Sequence, residues 1–163
     1  AMGEMRRMLS LLRTGEPTGV APQPGTAQLE DLVAEARSTG LPVSLSMTGS
    51  ATGPLDPSAG LGLTVYRLVQ EALTNARRHG GAVSRVDVRV HHAQDRLEVE
   101  VLDDGDGPST PADSSEPSPG SPGHGLVGMR ERVASHGGTL ETGPRADGGF
   151  RVRAVLPIRN GEP

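Results

Sequence analysis

Apolar residues recur every three or four positions along 59–78, where Leu61, Val65, Leu68, Val69, Ala72, Leu73 and Ala76 form one stripe. That is the spacing of a helix with one buried face. The same period over 28–39 groups Leu29, Leu32, Val33 and Ala36, with Gly40 as the stop. Leu126, Met129 and Val133 carry it again up to His136, before Gly137-Gly138. Elsewhere the period falls to two, as in a strand with one buried side. Val43, Leu45 and Met47 alternate with Ser44, Ser46 and Thr48. Val86, Val88 and Val90 alternate along 85–91, and Leu97, Val99 and Val101 along 96–102, with a hairpin turn at 92–95. Two last strands are expected at 139–142 and from Phe150 to Leu156, the second with Phe150, Val152, Ala154 and Leu156 on one face.

The order is helix, strand, helix, strand, strand, helix, strand, strand. Strands joined by a hairpin cannot all be parallel, so the expected fold class is α+β: a two-layer sandwich of a mixed β-sheet with helices on one face. Between the third strand and the last helix runs PSTPADSSEPSPGSPG, residues 108–123, which has no large apolar residue and cannot pack as core. It is expected to be a flexible lid or insert. Residues 1–13 carry a short helical pattern of Met5, Met8, Leu9, Leu11 and Leu12 with Arg6, Arg7 and Arg13 interspersed, ended by a Pro/Gly linker at 14–27. It reads either as a terminal helix or as the end of a longer one. The domain proper is expected over 28–158, with 159–163 as a tail.

With 163 residues the chain is one domain's length. Tyr66 and Phe150 are its only aromatic residues, so the core falls to Val, Leu and Ala. A net charge of −4, with only two aromatic side chains for stacking on bases, argues against nucleic acid as a partner. There is no cysteine, which removes disulfides and thiolate metal sites and fits a cytoplasmic location. No apolar run reaches the ~18–20 residues of a membrane span, so no membrane contact is expected.

Three polar patterns carry candidate chemistry. At about 100° per residue, Glu71, Asn75 and Arg78 lie roughly 80–120° from the centre of the long helix's apolar stripe, with His79 between the two sets. Thr64, Gln70, Thr74 and Arg77 fall on its far side. A flank so placed is either a solvated helix edge or the rim of a cleft. VLDDGDG then ends a strand with Asp103 at the close of the alternation. Asp-Gly is a turn signal, but a carboxylate there can also accept from an exocyclic amine such as adenine's, and Gly105 and Gly107 let backbone approach a ligand. Last, GHGLVGMRERV places Gly123 and Gly125 before Leu126 at a helix start, where free N–H groups suit phosphate. It has neither a dinucleotide fingerprint nor a Walker lysine.

Taken in order, VYRLVQEALTNARRHG, VLDDGDG, GHGLVGMRERV and GGTLETGP with GGFRVRAVLP closely resemble the ATP-binding domain of bacterial sensor histidine kinases, within the wider family of gyrase B, Hsp90 and MutL. The details are similar to the NarL/DesK-type subfamily of actinobacteria, and the resemblance covers 28–158. It implies the Bergerat-type fold, with ATP and Mg²⁺ as ligands. Asn75 would hold Mg²⁺, and Glu71 would act on the phosphoacceptor histidine or on a metal-bound water. Asp103 would read the adenine amine, with Gly105 and Gly107 against the base. Gly123, Gly125 and Leu126 would border the phosphates and hinge the lid. Arg78 and His79 would support the phosphates or merely end the helix, and His124 would touch phosphate or face solvent.

The resemblance also implies partners: the kinase's own dimerisation and phosphoacceptor helices, of which residues 1–13 look like the end, and a response regulator downstream. Such an acceptor histidine is followed by an acidic residue, and none of the five histidines here is. The expected chain is thus a fragment, monomeric without its dimer helices, that binds Mg-ATP but does not phosphorylate itself. The resemblance is compatible with a membrane anchor elsewhere in the whole kinase. The alternatives are an anti-sigma-type serine kinase or partner-binding module of the same fold, and an ATP-free scaffold.

Overall fold

A computed structural model describes residues 23–49, 59–106 and 122–158. The segments 1–22, 107–121 and 159–163, with most of the expected dimerisation remnant, linker, lid and tail, lie outside the described residues, as does 50–58.

One turn of 3-10 helix, Thr26–Gln28, leads into α1, Leu29–Ser38. Glu30 and Asp31 stand in its first turn and Arg37 in its last, each favourable to the helix dipole. It ends in a Schellman motif. Gly40, at φ +94, donates to the Arg37 carbonyl at 3.0 Å, and Leu41 donates to that of Ala36 at 3.2 Å. Strand β1, Val43–Gly49, follows. Helix α2, Ala59–His79, is the longest described element, and all seven residues of its apolar stripe are buried. Strands β2 (Val86–His92) and β3 (Arg96–Asp103) form the expected hairpin; α3 (Pro122–Ser135), β4 (Thr139–Pro144) and β5 (Phe150–Pro157) complete the chain.

The sheet order is β1-β2-β3-β5-β4, with β1–β2 the parallel pair and the rest antiparallel. Val86, Val88, Val90, Leu97, Val99, Val101, Val152, Ala154 and Leu156 are all buried in one core with the helical residues Leu29, Val33, Leu68, Val69, Met129 and Val133. The other face carries alternating charges. Arg89 and Arg151 reach Glu100 at 3.4 and 3.1 Å, and Arg153 reaches Glu98 at 3.3 Å. Pairs this exposed add little stability; their effect is to keep the uncovered face in water. The architecture is the mixed sheet with helices on one face that the period switches predicted.

Four local expectations differ. Thr64, placed on the exposed side of α2, is buried at 7% exposure. Its hydroxyl bonds the Gly60 carbonyl and His136, so a polar residue joins the packed side by pairing. Met47 is 40% exposed, in the outer half of β1, which is an edge strand. Strand β4 runs on to Pro144, past the expected end at 142. Helix α3 starts at Pro122, so Gly123 and Gly125 are helical residues and do not form a turn ahead of the helix. Proline suits a first helical position, since its missing N–H has no partner there to lose.

Candidate functional site

Helix α2 is the wall on which the polar motifs meet. Glu71, Asn75 and His79 are half-exposed and Arg78 is exposed. Among the described residues their side chains make no hydrogen bond or ion pair. A row of unpaired polar groups beside a buried stripe is a surface with free bonding capacity, unlike the charged sheet face, where acids and arginines pair.

The two glycine-bearing motifs dock on this helix at separate points. Gly125 of α3 lies on Glu71: a Cβ there would fall 2.0 Å from Glu71 Oε1. Gly105, just past β3, lies on the end of α2, where a Cβ would fall 2.1 Å from the Gly80 carbonyl oxygen. The N–H of Asp106 donates to that same carbonyl at 2.8 Å. Glu71 and Gly80 are roughly 13 Å apart at 1.5 Å rise per residue, and Asn75 stands between them. The structure thus brings Glu71, Asn75, Gly105 and Gly125 to one helix. It also gives Gly105 a packing role, contact with Gly80, that the expectation of a glycine against the base did not contain.

Asp103 ends β3 in phase with Leu97, Val99 and Val101, which is why it is buried, at 7% exposure. Burying a carboxylate costs several kcal/mol unless it is bonded. Its Oδ1 accepts from the N–H of Gly105 at 3.0 Å and from that of Phe150 at 3.3 Å. Those described bonds all go to Oδ1, which leaves Oδ2 as the oxygen on offer to a ligand donor.

Asp104, next along, faces the other way and ties the strand end to the loop before β2. Its carboxylate accepts from the Ser84 hydroxyl and from the N–H groups of Ser84 and Arg85, both at 2.9 Å. Ser84's hydroxyl above all, then the Arg85 amide, holds this carboxyl below its ordinary range.

The remaining expected residues place as follows. Leu126 is half-buried against the core. Gly123 sits in the first turn of α3. Gly107 and the side chain of His124 lie outside the described residues. Sequence reasoning missed Arg145, Gly149 and Phe150 beside Asp103, and the bond from His136 to Thr64. Gly148-Gly149 was a visible turn signal, but nothing in the pattern says which strand end that turn touches.

As to ligands, a single carboxamide oxygen from Asn75 fits a cation that keeps several waters and takes its other oxygens from phosphate, the habit of Mg²⁺. Among the described residues no group of three His, Cys, Asp or Glu could hold a metal ion without such help. A buried carboxylate with one oxygen left over fits the amine edge of adenine. No described helix is long and apolar enough to cross a membrane.

Residues 60–160 match the family described as histidine kinase-, DNA gyrase B-, and HSP90-like ATPase. The sensor histidine kinase LnrJ of Bacillus subtilis is 37% identical over 97 residues, 60% of this chain and 22% of that protein. The histidine-protein kinase/phosphatase DegS of Brevibacillus brevis is 36% identical over 100 residues, 61% of this chain and 24% of that protein. The chain therefore spans about a quarter of the length of these curated relatives. The histidine kinase domain of the Escherichia coli osmosensor EnvZ superposes with a TM-score of 0.59 at 24% identity, over 90% of this chain and 95% of that one. The blue-light activated histidine kinase EL346 of Erythrobacter litoralis gives 0.59 at 24% identity, over 83% and 45%. These two likenesses bear on the fold.

Proposed function

The chain belongs to the histidine kinase-, DNA gyrase B-, and HSP90-like ATPase family, and on that premise we propose that it is the ATP-binding catalytic domain of a two-component sensor histidine kinase. The full kinase would carry a γ-phosphoryl group to a histidine on its dimerisation helices and from there to a response regulator. The relatives named above are sensor kinases or kinase/phosphatases, which favours this over the serine-kinase alternative. The form of the GHGLVGMRERV motif supports the NarL/DesK-type subclass. A cytoplasmic setting follows from the use of ATP.

The observation that carries the reading is Asp103: a buried carboxylate, fixed through one oxygen, at the strand end that abuts the polar wall of α2. Bound Mg-ATP supplies the phosphoryl group and the positive charge that offsets the phosphates. In this reading Asp103 Oδ2 accepts from the adenine amine. Asn75 offers its side-chain oxygen to the metal. Arg78 and His79, at the end of the same helix, lend positive charge or donors to the phosphates. Gly105 sets the strand end and lies with Gly107 against the base, while Gly123, Gly125 and Leu126 border the phosphates. Glu71 orients the acceptor histidine or takes the proton its ring nitrogen gives up, directly or through a water. All of this is positioning and charge neutralisation.

Titration calorimetry with Mg-ADP tests it. The wild-type chain binds, and Asn75→Ala and Asp103→Ala each lose at least ten-fold in affinity, about the value of one bond to a charged group. No heat from a folded wild-type chain would leave the ATP-free scaffold standing. Incubated with labelled ATP, the chain alone should gain no acid-labile phosphate.

A further inference from the structure

The turn between β4 and β5 grips Asp103 from three directions. Strand β3 pairs with β5 only as far as Leu102 and Arg151, so Asp103 lies one residue beyond the last rung on that side. Its carbonyl is taken up by a side chain: Arg145 Nη1 donates to it at 3.0 Å. Gly149, at φ +90, presses on the same carbonyl, and a Cβ there would fall 1.9 Å from its oxygen. Phe150 donates its N–H to the carboxylate itself. The turn is closed by Arg145, whose N–H donates to the Gly149 carbonyl at 2.9 Å and whose carbonyl accepts from Gly148 at 3.2 Å. One residue therefore holds both the turn and the main chain of Asp103. The other contact of its guanidinium, Asp147 at 3.7 Å, is to an exposed partner and contributes little.

A carboxylate reads a base only if its free oxygen points the right way. With the main chain fixed by Arg145 and Oδ1 fixed by Phe150 and Gly105, the direction of Oδ2 is set from the β4–β5 turn. We propose that Arg145 is a positioning residue for base selection, fixing Asp103 so that an adenine amine is preferred over a carbonyl at the same place. The inference rests on the adenine-reading role proposed for Asp103.

Calorimetric titrations of the 163-residue chain with Mg-ADP and with magnesium inosine diphosphate, whose base carries an oxygen in place of the amine, test it. Wild type should prefer ADP ten-fold or more, since two acceptors would face each other in the inosine complex. Arg145→Ala should lower ADP affinity about five-fold and change inosine diphosphate affinity less than two-fold. Arg145→Lys, which can still donate to the carbonyl, should restore most of the preference. If Arg145→Ala weakens both nucleotides equally, or neither, the residue is structural only and the inference is overturned. Should Arg145→Ala fail to fold, Arg145→Met, which keeps the stem without the donor, and Arg145→Lys decide, the first losing the preference and the second keeping it. Asp103→Asn separates the two levels. If it leaves the preference intact, the base-reading role itself fails; if it abolishes the preference while Arg145→Ala does not, only the inference fails.

Discussion

Gly125 of α3 lies directly on the carboxylate of Glu71 in α2. A Cβ on Gly125 would fall 2.0 Å from Oε1, 2.7 Å from Cδ and 3.2 Å from Cγ. Glycine inside a helix costs stability relative to alanine, so its presence here has to be accounted for. Its bareness is what lets α3 close onto the side chain proposed to act on the acceptor histidine.

Gly125→Ala should therefore separate stability from chemistry. Helix propensity favours the variant by about 1 kcal/mol, so its melting temperature should hold or rise. The added methyl must push the Glu71 carboxylate aside. In the intact kinase, phosphoryl transfer should fall ten-fold or more, within the range a misplaced acid–base group costs, while Mg-ADP affinity stays within about three-fold. Measured melting curves, nucleotide titrations and transfer rates check this. A transfer rate equal to wild type would mean that the Glu71 position does not govern the step.

Asp104 makes stability depend on acid in a direction that can be worked out. Its folded carboxyl titrates below its ordinary value, chiefly because the Ser84 hydroxyl bonds the ionised form. A depressed folded value means stability that is complete above the unfolded value, near 4, and lost as pH falls through the folded one. Wild type should thus exceed Asp104→Asn in urea midpoint at about pH 7, and the gap should shrink as the pH falls below about 4. The gap should be small, because the carboxylate is exposed. Ser84→Ala should move its closing to higher pH. A gap that persists unchanged in strong acid would show that the bonds matter for some reason other than charge.

The fold was legible because its core pattern is clean. Val86, Val88 and Val90, and then Leu97, Val99 and Val101, alternate without a break, and every one is buried. The same alternation, carried one step further, put Asp103 inside. The α2 stripe named its own buried side, and with it the flank on which Glu71 and Asn75 stand. What stayed hidden depends on contacts between distant segments. Nothing local to Gly149 says that it meets the Asp103 carbonyl, nor does Arg145 announce a carbonyl partner across 42 residues of sequence. Thr64 looked exposed because its neighbours on that helical face are polar. Its burial depends on His136, 72 residues away. Glycines at 123 and 125 signal a turn locally, so the sequence pattern starts α3 late, whereas the Glu71 contact makes one of them useful in a helix.

The pairing of Thr64 with His136 gives the last prediction. The Thr64 hydroxyl donates to the Gly60 carbonyl at 3.0 Å, so it can only accept from His136, whose Nε2 lies 2.8 Å away. The imidazole must then carry its proton on Nε2, whether neutral or charged. This bond fastens the end of α3 to the first turns of α2, the same two helices that meet at Gly125 and Glu71. Thr64→Val leaves a half-buried N–H without its partner, and His136→Leu removes the donor but leaves Thr64 paired to Gly60. Each should cost about 1 kcal/mol. Because both remove one shared bond, the double variant should cost less than the sum by about 1 kcal/mol. Urea denaturation of the four proteins measures that coupling. Strict additivity would show that the bond contributes nothing in solution, and that α3 is held by the packing of Leu126, Met129 and Val133.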